Sequence, residues 1–566
     1  MKIRLVIMAL LLGMGQWSFA QVTKEKKPNI ILILADDYGY MDIQEYAKHT
    51  LGTDKSKMFY ETPNLDRLIN EGVAFDRAYA TMLCAPTRSS ILTGKYAARL
   101  GFTTATAYEP TYYNRGIKVP KGSYINDVIY HSDKIPIEQA LRNGSSNTAV
   151  PSGTKYDNGV DETSIAEALP DYNSAFIGKW HMGGHGAQGY TPSDQGFESI
   201  AWYDAGSSPY FNWRKLWNDK SMKRHPNMPQ KEWMIGDAGE ETGENYLTDD
   251  LTVQALRFLN KQAKVKEKPF FLYFCHFAVH GPWQGKEADI KHFEKKDTKG
   301  WNGQGDARYA AMIYDLDKSV GEILNKLEET GLDKNTLVIF MSDNGGIDKD
   351  VNPQGFITNN DPLKGGKACL TEGGIRVPLV FRWKGKIKEG KWSKVAVGCT
   401  DILPTIVEAA GYNPKSLYTK EDIDGRSIWG LMSDVKNKKK TYTRNTHYWH
   451  YPFNVIYNNP YDGLPLTPHS AIMEGNYKLI FDWYGRLKLF DVKKDLSENN
   501  NLAKKMPDKV NDLFEKLMTW LDNDVKETYW PTINPEYNSN KEVRDLPFID
   551  LVKIYRNGGN VAKAAN

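Results

Sequence analysis

Two short apolar runs, far apart in the chain, each end at a pair of acidic or amide residues. The run Ile30–Leu34 stops at the pair Asp36–Asp37, and the run Thr336–Met341 stops at the pair Asp343–Asn344. An uninterrupted apolar run of this length is typical of a strand that is buried on both faces, as in a parallel sheet covered by helices. Because ligands bind at the carboxyl ends of parallel strands, we expect the two polar pairs to be neighbours in space.

Strands and helices alternate along most of the chain. Pro269–Phe277 and Val377–Trp383 have the composition of further strands, whereas Leu247–Gln262 and Tyr309–Leu327 have helical periodicity. Strands that alternate with helices favour a doubly wound sheet with helices on both faces. We therefore predict an α/β fold with one mostly parallel sheet, and we predict that residues 21–440 form this one large domain.

The pattern changes after about residue 440. Ala471–Ile480 and Leu487–Phe490 lie on either side of a Tyr484–Gly485 turn and are typical of antiparallel strands. A stretch with helical periodicity, Asp508–Leu521, follows them. We predict that residues 441–566 form a smaller α+β subdomain with a small antiparallel sheet and a helix.

The first twenty residues have the pattern of a secretory signal peptide. Lys2 and Arg4 precede the apolar stretch Leu5–Leu12, and Ser18 and Ala20 place small residues at the two positions that define a cleavage site. The apolar stretch is too short to cross a membrane, and no later stretch approaches the roughly twenty apolar residues that a span needs. We expect cleavage near Ala20 and a secreted or periplasmic protein without a stable membrane anchor.

Charge and cysteine content exclude several classes of protein. Lys and Arg number 73 against 70 Asp and Glu, a net charge of +3, and so small a charge creates no field that would attract nucleic acid. The 4 cysteines are too few for a disulfide scaffold, and none lies in a Cys-x-x-Cys pair, so a zinc ribbon is not expected. We therefore expect a globular protein that does not bind nucleic acid.

The segment Cys84–Gly94 combines a thiol with Pro86 two residues later and Arg88 four residues later. A free cysteine alone is most often a small buried hydrophobic residue. The segment as a whole resembles the signature of the formylglycine-dependent sulfatases of the alkaline phosphatase superfamily, C-x-P-[ST]-R followed by T-G. In that family the cysteine is oxidised to a residue that carries an aldehyde. Thr87 stands where serine is commoner, which is a conservative departure.

Further motifs of that family occur in the family's order, over Pro28 to about Leu521, and the resemblance is strongest to bacterial polysaccharide sulfatases. They are Asp36–Asp37, Gly178–Gly183 (G-K-W-H-x-G), Val279–Pro282, Asp343–Asn344 and Gly365–Pro378, which is similar to G-K-x-x-x-x-E-G-G-x-R-x-P. In this family a second histidine usually accompanies the motif Val279–Pro282, and the residues around His280 match that pattern less clearly. Without the other motifs, His276 and His280 would be read as ordinary strand and loop residues.

The resemblance implies an alkaline-phosphatase-like fold, with a mixed, mostly parallel sheet sandwiched by helices, and it implies hydrolysis of sulfate esters. It also implies a metal site. Hard oxygen ligands at strand ends suit Ca²⁺, and Mg²⁺ less well. The implied ligands are Asp36, Asp37, Asp343, Asn344 and the formylglycine made from Cys84. That conversion requires a formylglycine-generating maturation enzyme as a partner of the chain.

The resemblance also assigns roles to the remaining polar residues. A hydrated aldehyde at position 84 would supply two hydroxyls, one to attack sulfur and one to help release sulfate. Arg88 and Lys179 would orient this residue, and His181 would be the base for the second step. Lys179, His280 and Lys367 would hold the sulfate charge, and His280 would give the departing oxygen its proton. Glu372 and Arg376 are expected to be structural.

The substrate is predicted mainly by analogy. We expect an exo-acting enzyme on sulfated oligosaccharides, such as those from the algal polymers ulvan or carrageenan. Aromatic residues make up 12% of the chain and would either stack on sugars or pack in the core. The segments that would stack on sugars are Trp202–Tyr203, Tyr210–Trp213 and Tyr448–Tyr451. The residues that would contact substrate, besides Lys179, His280 and Lys367, are His185, Trp202, Asp204, Arg214 and His450.

Several alternatives stay open at this level. One alternative is a sulfatase that acts on a glycosaminoglycan or an aryl sulfate. Another is a phosphatase or phosphonate hydrolase, since related enzymes share the metal-bearing strands. A catalytically inactive glycan-binding relative is a further alternative, although every catalytic position has a candidate. An enzyme similar to phosphoglycerate mutase would need a serine nucleophile and a two-metal set of histidines, which the sequence does not show.

Overall fold

The protein is described by a computed structural model. The residues that it describes are 26–103, 129–130, 141–142, 160–182, 192–203, 207–213, 246–265, 267–348, 357–433, 442–452, 457–461, 463, 466–525, 527–533 and 548–565. The predicted signal peptide and its cleavage near Ala20 lie outside these residues and stay predictions, as does the predicted location. Among the described helices, none is both long enough and apolar enough to cross a membrane.

A sheet of eight strands forms the centre of the molecule. From one edge to the other its strands are Lys391–Ser393, Val73–Phe75, Leu379–Arg382, Thr336–Ser342, Asn29–Ala35, Phe270–Cys275, Asn173–Lys179 and Ser199–Tyr203. Neighbouring strands are parallel except at Leu379–Arg382, which is antiparallel to both of its neighbours. The predicted α/β fold with a mixed, mostly parallel sheet is confirmed.

The register of the central strands brings the two polar pairs together. Ala35 pairs with Ser342 and Leu34 pairs with Cys275, so three parallel strands end at one level of the sheet. Asp36 and Asp343 follow directly after paired residues. The expectation that these pairs are neighbours in space is therefore correct, and its physical cause is the parallel register.

Both faces of the sheet are covered, which explains the uninterrupted apolar run of the first strand. Ile31 and Ile33 pack on one face against the helices Leu247–Gln262 and Ala307–Glu329, whereas residues of alternate parity pack on the other face against Ile402–Ala409. All residues of Ile30–Leu34 are 0% exposed. A strand between two layers of helices has no polar face, so its sequence does not alternate.

The described α-helices differ widely in length, and most of the longer ones cover the sheet. They are Gln44–Leu51, Pro63–Asn70, Cys84–Thr93, Leu247–Gln262, Glu287–Glu294, Ala307–Glu329, Glu372–Ile375, Ile402–Ala409, Lys415–Thr419, Trp429–Met432, Pro507–Asp524, Leu551–Arg556 and Val561–Ala564. Short 3-10 segments are Tyr40–Asp42, Lys55–Lys57, Ser193–Gln195, Trp301–Gly303, Leu332–Asn335, Cys399–Asp401 and Glu527–Tyr529. Leu247–Gln262 begins and ends where the periodicity predicts.

A second, fully antiparallel sheet lies in the C-terminal part of the chain. Its strands, in order, are Thr446–Tyr451, His469–Glu474, Tyr477–Asp482 and Arg486–Asp491. The helix Pro507–Asp524 packs on this sheet. The predicted stretch Ala471–Ile480 contains two strands, because Gly475 makes a turn at φ +64°. The predicted boundary between residues 440 and 441 lies outside the described residues and stays a prediction.

The remaining described strands are short. Arg376–Val377, Ala78–Tyr79 and Val397–Gly398 form a small three-stranded sheet, and the two-stranded pairs are Thr532–Ile533 with Ile129–Tyr130 and Leu141–Arg142 with Val160–Asp161. The predicted strand Val377–Trp383 is thus divided between two sheets. Pro378 lies at the division, where its missing N–H cannot continue a ladder of hydrogen bonds.

A buried ion cluster joins the C-terminal sheet to the helix Glu372–Ile375. Lys478 of the C-terminal sheet is 0% exposed, and its Nζ lies 2.8 Å from Oε1 of Glu372 and 2.9 Å from Oε1 of Glu498. Glu498 also accepts a 2.6 Å hydrogen bond from the backbone N–H of Glu372. Burial alone would raise the pKa of Glu372, but Lys478 and Arg376 hold it below its ordinary value.

We predict that Lys478→Met lowers the free energy of unfolding by about 3–5 kcal/mol, because it removes the cation beside the buried Glu498 and leaves Glu372 with its longer, 3.3 Å contact with Arg376. Urea unfolding of both proteins measures this difference. The matched control is Lys494→Met, whose side chain is 82% exposed, and its expected change is within about 0.5 kcal/mol. Equal small losses in both variants would show that the cluster does not stabilise the fold.

Candidate active site

The two polar pairs at the strand ends bind each other through their backbones and side chains. The backbone N–H of Asp37 donates to Oδ1 of Asp343 at 3.2 Å, and the side-chain amide of Asn344 donates to Oδ1 of Asp37 at 2.8 Å. Asp37 has a φ of +56°, which turns the chain sharply after the strand. Asp36, Asp37, Asp343 and Asn344 are all at most 1% exposed. The strand ends therefore form one buried acidic cluster.

Three buried cations from three different parts of the chain face this cluster. Lys179 donates to Oδ2 of Asp36. Lys367 Nζ lies 2.7 Å from Oδ1 and 2.8 Å from Oδ2 of Asp37. These lysines are 0% and 4% exposed. Burial by itself would raise the pKa of Asp37, but Lys367 and the other nearby positive groups lower it to about 2. This carboxylate is therefore ionised in the folded protein.

The third cation, Arg88, links the acidic cluster to the segment that carries Lys179. Its Nη2 and Nε lie 2.6 and 3.1 Å from Oδ2 of Asp343, and its Nη1 donates to the backbone carbonyl of Lys179 at 2.8 Å. Arg88 and Cys84 are four residues apart on the helix Cys84–Thr93, so they lie on the same helical face. The spacing of the motif thus brings the thiol and the guanidinium to one site.

Cys84 begins its helix and lies inside the cluster of charged groups. Its Sγ lies 3.4 Å from Nδ1 of His181, and the residue is 1% exposed. Burial raises the pKa of the Cys84 thiol, against the opposing effect of Lys179 and Lys367. The unmodified thiol is therefore protonated and is a poor nucleophile.

Lys179 and His181 come from one strand end whose shape depends on a glycine. Gly178 has a φ of +106°, and a Cβ built there would lie 1.7 Å from the carbonyl oxygen of Cys275 on the neighbouring strand. His181 follows with a φ of +52°. This conformation and close approach require glycine, and they direct Lys179 and His181 to the same site.

His280 completes the cluster from a fourth strand end, that of Phe270–Cys275. Its Nδ1 lies 2.7 Å from the carbonyl oxygen of Gly281, so Nδ1 carries the hydrogen, and its Nε2 lies 3.6 Å from Oδ2 of Asp37. Burial, followed by the positive charge of Lys367, lowers the pKa of His280 to about 3. The ring is therefore neutral in the free site, and Nε2 faces the acidic cluster.

The acidic cluster fits a hard metal ion. Oδ1 of Asp36 and Oδ1 of Asn344 are buried and have no hydrogen-bond partner among the described residues. Ligand atoms of Asp36, Cys84 and Asp343 lie within 4.8 Å of one another. Burial, and then the nearby charge of Asp36, raises the pKa of Asp343 to about 6. Buried oxygens without a hydrogen-bond partner, and carboxylates that repel one another, favour a bound cation.

Comparison with known families agrees with this geometry. The model of the family described as Sulfatase matches residues 28–412, which is more than half of the chain. The model described as N-sulphoglucosamine sulphohydrolase, C-terminal, matches residues 366–526. The chain belongs to the sulfatase family. It is therefore a sulfuric ester hydrolase.

Individual relatives of this sulfatase cover most of its length. A protein named sulfatase from Formosa agariphila is 28% identical over 578 aligned residues, and the alignment covers 94% of each chain. The N-acetylgalactosamine-6-sulfatase of Rattus norvegicus is 31% identical, over 72% of this chain and 66% of the rat protein. The match thus leaves about a third of the rat enzyme without a counterpart.

Solved structures show the same fold. The crystal structure of Ps i-CgsB superposes with a TM-score of 0.64 at 25% identity, and covers 89% of this chain and 95% of the other. The structure of Ps i-CgsB in complex with k-i-k-neocarrahexaose superposes with a TM-score of 0.63 at 24% identity, with the same coverage. These similarities confirm the predicted alkaline-phosphatase-like fold.

The structure brings together every predicted catalytic and metal residue of this sulfatase. Cys84, Arg88, Lys179, His181, His280 and Lys367 surround the acidic cluster, as the contacts above show. Of the residues predicted only for substrate binding, His185, Asp204 and Arg214 lie outside the described residues. Trp202 lies in the strand Ser199–Tyr203, where its backbone pairs with Gly178.

The prediction that His450 binds substrate hydroxyls is not supported. Its Nδ1 lies 2.8 Å from Oγ of Ser470 and its Nε2 lies 3.0 Å from the carbonyl oxygen of Tyr529. The residue is 3% exposed, and burial lowers its pKa to about 4. Both ring nitrogens are therefore engaged inside the C-terminal sheet and its neighbours.

The described residues of the aromatic segments that were expected to stack on sugars lie largely in the core. Tyr210 and Trp213 are 0% and 1% exposed, and Trp449 is 6% exposed. The indole N–H of Trp213 donates to Asp250, and that of Trp449 donates to the carbonyl of Ala80. For these three residues the interpretation as core is correct and the interpretation as a sugar platform is wrong.

Sequence reasoning also missed a residue that supports the acidic cluster. The hydroxyl of Tyr309 lies 2.7 Å from Oδ2 of Asp42 and 3.2 Å from the backbone carbonyl oxygen of Asp37. Tyr309 belongs to no motif of the family that the sequence shows. Its position at the start of the helix Ala307–Glu329, after the N-cap Asp306, is the one signal that the sequence offers.

We predict that Gly178→Ala lowers the free energy of unfolding by more than about 4 kcal/mol, because its Cβ would overlap a backbone carbonyl. Urea unfolding and sulfate release measure the effect. The matched control is Gly52→Ala, which also has a positive φ, +69°, but whose Cβ would meet no described atom within 4 Å. Its expected cost is about 1–2 kcal/mol. Equal losses would show that backbone strain, rather than overlap, makes glycine necessary.

Proposed function

We propose that this sulfatase hydrolyses sulfate esters of a sulfated carbohydrate, with a formylglycine made from Cys84 as the nucleophile and Ca²⁺ as the metal. The observation that carries the proposal is the convergence of Cys84, three buried cations and two strand-end acidic pairs on one buried site. The formylglycine requires a maturation enzyme in the host, which acts on the Cys84 segment.

The acidic cluster is proposed to hold the metal. Asp36, Asp37, Asp343 and Asn344 would be its oxygen ligands, together with the modified residue 84, and Ca²⁺ suits oxygen ligands better than Mg²⁺ at a site that keeps few waters. When bound, the ion supplies Lewis-acid stabilisation of a sulfate oxygen and lowers the pKa of a hydroxyl beside it. Arg88 holds Asp343 in position for this role through its bidentate contact with Oδ2.

The charged side chains are proposed to bind the sulfuryl group. Lys179 and Lys367 lie against the acidic cluster in a buried site, where a positive charge stabilises an anionic oxygen more strongly than it does in water. The hydrated aldehyde supplies two hydroxyls on one carbon, which lets sulfate leave as the aldehyde forms again. We propose that His181, which lies 3.4 Å from the Cys84 sulfur, accepts a proton from residue 84.

His280 is proposed to give the departing oxygen its proton. Nδ1 binds the Gly281 carbonyl, so the ring presents Nε2 to the site. Nε2 carries a proton only in the imidazolium form, and the negative charge of a bound sulfate ester favours that form. His280 also contributes to the positive charge around the sulfuryl group when it is protonated.

The substrate is proposed to be an oligosaccharide from a sulfated polysaccharide, such as the algal polymers carrageenan or ulvan. Support comes from the names of relatives: one is an N-acetylgalactosamine-6-sulfatase, and the Ps i-CgsB structure contains k-i-k-neocarrahexaose. The buried aromatic residues described above do not contribute to this proposal. The residues His185, Trp202, Asp204 and Arg214 remain proposed substrate contacts.

We predict that Cys84→Ala lowers the rate of sulfate release by more than about a thousandfold, because it removes the precursor of the nucleophile. The measurement is sulfate release from a panel of N-acetylgalactosamine 6-sulfate, sulfated carrageenan and ulvan oligosaccharides and 4-nitrophenyl sulfate. The matched control is Cys399→Ala, another buried free cysteine, which we expect to keep its activity within about twofold.

Three outcomes would contradict this assignment. Mass spectrometry of the Cys84 peptide from active protein would refute it by finding only an unmodified thiol. Faster cleavage of 4-nitrophenyl phosphate than of every sulfate in the panel would favour a phosphatase on the same fold. An inactive glycan-binding relative would bind members of the panel and release no sulfate from any of them.

We predict that Ca²⁺ binding is weakened at least about tenfold by Asn344→Ala, because this change removes a proposed metal ligand. Isothermal titration calorimetry of the chelator-treated protein measures the affinity, and chelation should abolish sulfate release until Ca²⁺ is restored. Asn335→Ala, at a partly buried amide that binds the backbone of Lys27, is the control. Unchanged Ca²⁺ affinity in Asn344→Ala would exclude this ligand, and tighter binding of Mg²⁺ would change the metal.

A further inference from the structure

Tyr210 contacts the turn Phe277–His280. Its segment, Tyr210–Trp213, has the aromatic composition of a sugar-stacking surface. We propose that Tyr210 is a positioning residue for His280. The inference rests on the proposed function, because it concerns a residue that the proposal places in catalysis. Tyr210 is 0% exposed, so it acts on the substrate only through what it touches.

The hydroxyl of Tyr210 holds both ends of the His280 turn. It lies 2.7 Å from the carbonyl oxygen of Phe277 and 2.9 Å from the carbonyl oxygen of His280. The N–H of His280 donates to the same Phe277 carbonyl at 2.9 Å, which closes the turn. One phenolic proton is therefore shared by the first and last carbonyls of a four-residue turn. Burial raises the pKa of Tyr210 well above its ordinary value, so the hydroxyl remains a donor.

Tyr210 is itself fixed at its backbone. Its N–H donates to Oε1 of Gln284 at 2.9 Å, and its carbonyl accepts from the N–H of Leu247 at 2.8 Å, at the start of the helix Leu247–Gln262. Its ring packs against Tyr246 with centroids 5.7 Å apart. Because the ring cannot shift without breaking these contacts, the hydroxyl has a fixed position relative to the turn.

The same turn is bound to the acidic cluster. The N–H of Asp36 donates to the carbonyl of Ala278 at 2.9 Å, and the N–H of Val279 donates to the carbonyl of Asp36 at 2.7 Å. The turn is thus held by the strand end that carries the proposed metal ligands and by Tyr210. These contacts define where His280 presents Nε2, which lies 3.6 Å from Asp37. Loss of the Tyr210 hydroxyl would free the His280 carbonyl and shift that nitrogen.

We predict that Tyr210→Phe lowers kcat/KM about tenfold, because a small misplacement of a catalytic group is costly while the ring packing is kept. The measurement is sulfate release from the panel member that the wild-type enzyme turns over fastest. The same substitution in a His280→Ala background should cost less than about twofold, because two residues that act through one group do not have additive effects.

The matched control is Tyr246→Phe. The hydroxyl of this buried tyrosine donates to the carbonyl of Gln284 at 2.9 Å and, among the described residues, has no hydrogen bond to the His280 turn. It should lower thermal stability as much as Tyr210→Phe does, while kcat/KM changes by less than about twofold. An equal loss of activity in both tyrosine variants would overturn the proposal, because it would show a general weakening of this region.

Other outcomes separate this inference from the proposed function. Equal losses from Tyr210→Phe with and without His280, or no loss at all, would overturn the positioning role alone. Full activity of His280→Ala would instead remove His280 from the proposed mechanism. A crystal structure of Tyr210→Phe gives a test that needs no substrate: we expect the Phe277–His280 turn and His280 Nε2 to be displaced, and an unchanged His280 would refute the inference.

Discussion

The pairing of three buried carboxylates with three buried cations is the interaction on which the site depends. Asp36, Asp37 and Asp343 are almost fully buried, and carboxylates so close together would repel each other and lose their charge without partners. Lys179, Lys367 and Arg88 provide those partners from separate parts of the chain. We propose that the same cations, which balance the acidic cluster, also bind the sulfate ester.

The C-terminal sheet belongs to the same framework. Lys367 lies in the segment Gly365–Pro378, and Glu372 of that segment is held by the buried Lys478 and Glu498. The backbone of this segment also binds the loop after the central strand, where Lys367 donates to the carbonyl of Gly346. Lys367 is thus held by contacts with the loop after a central strand and, through Glu372, with the C-terminal sheet.

Aromatic residues show how one composition supports two interpretations. An aromatic-rich segment has the same sequence pattern whether it faces sugar or core, because a large apolar ring with one polar atom suits both. Tyr210 and Trp213 are core residues whose polar atoms bind groups inside the protein. His450 is similar, since both of its nitrogens bind buried partners. Only the packing around each ring distinguishes these cases, and packing is not visible in a local pattern.

The sequence by itself determined the strands that carry Asp36 and Asp343, the spacing of Cys84, Pro86 and Arg88 in one motif, and the family. These features are local: they depend on runs, spacings and motifs of neighbouring residues. Only the tertiary structure decided which cation meets which carboxylate, that His280 is held by Tyr210, and that Val377–Trp383 is divided between two sheets. The physical reason is that these contacts join residues that lie far apart in the chain. The distances between such residues are set by the register of the sheet and by the packing between layers.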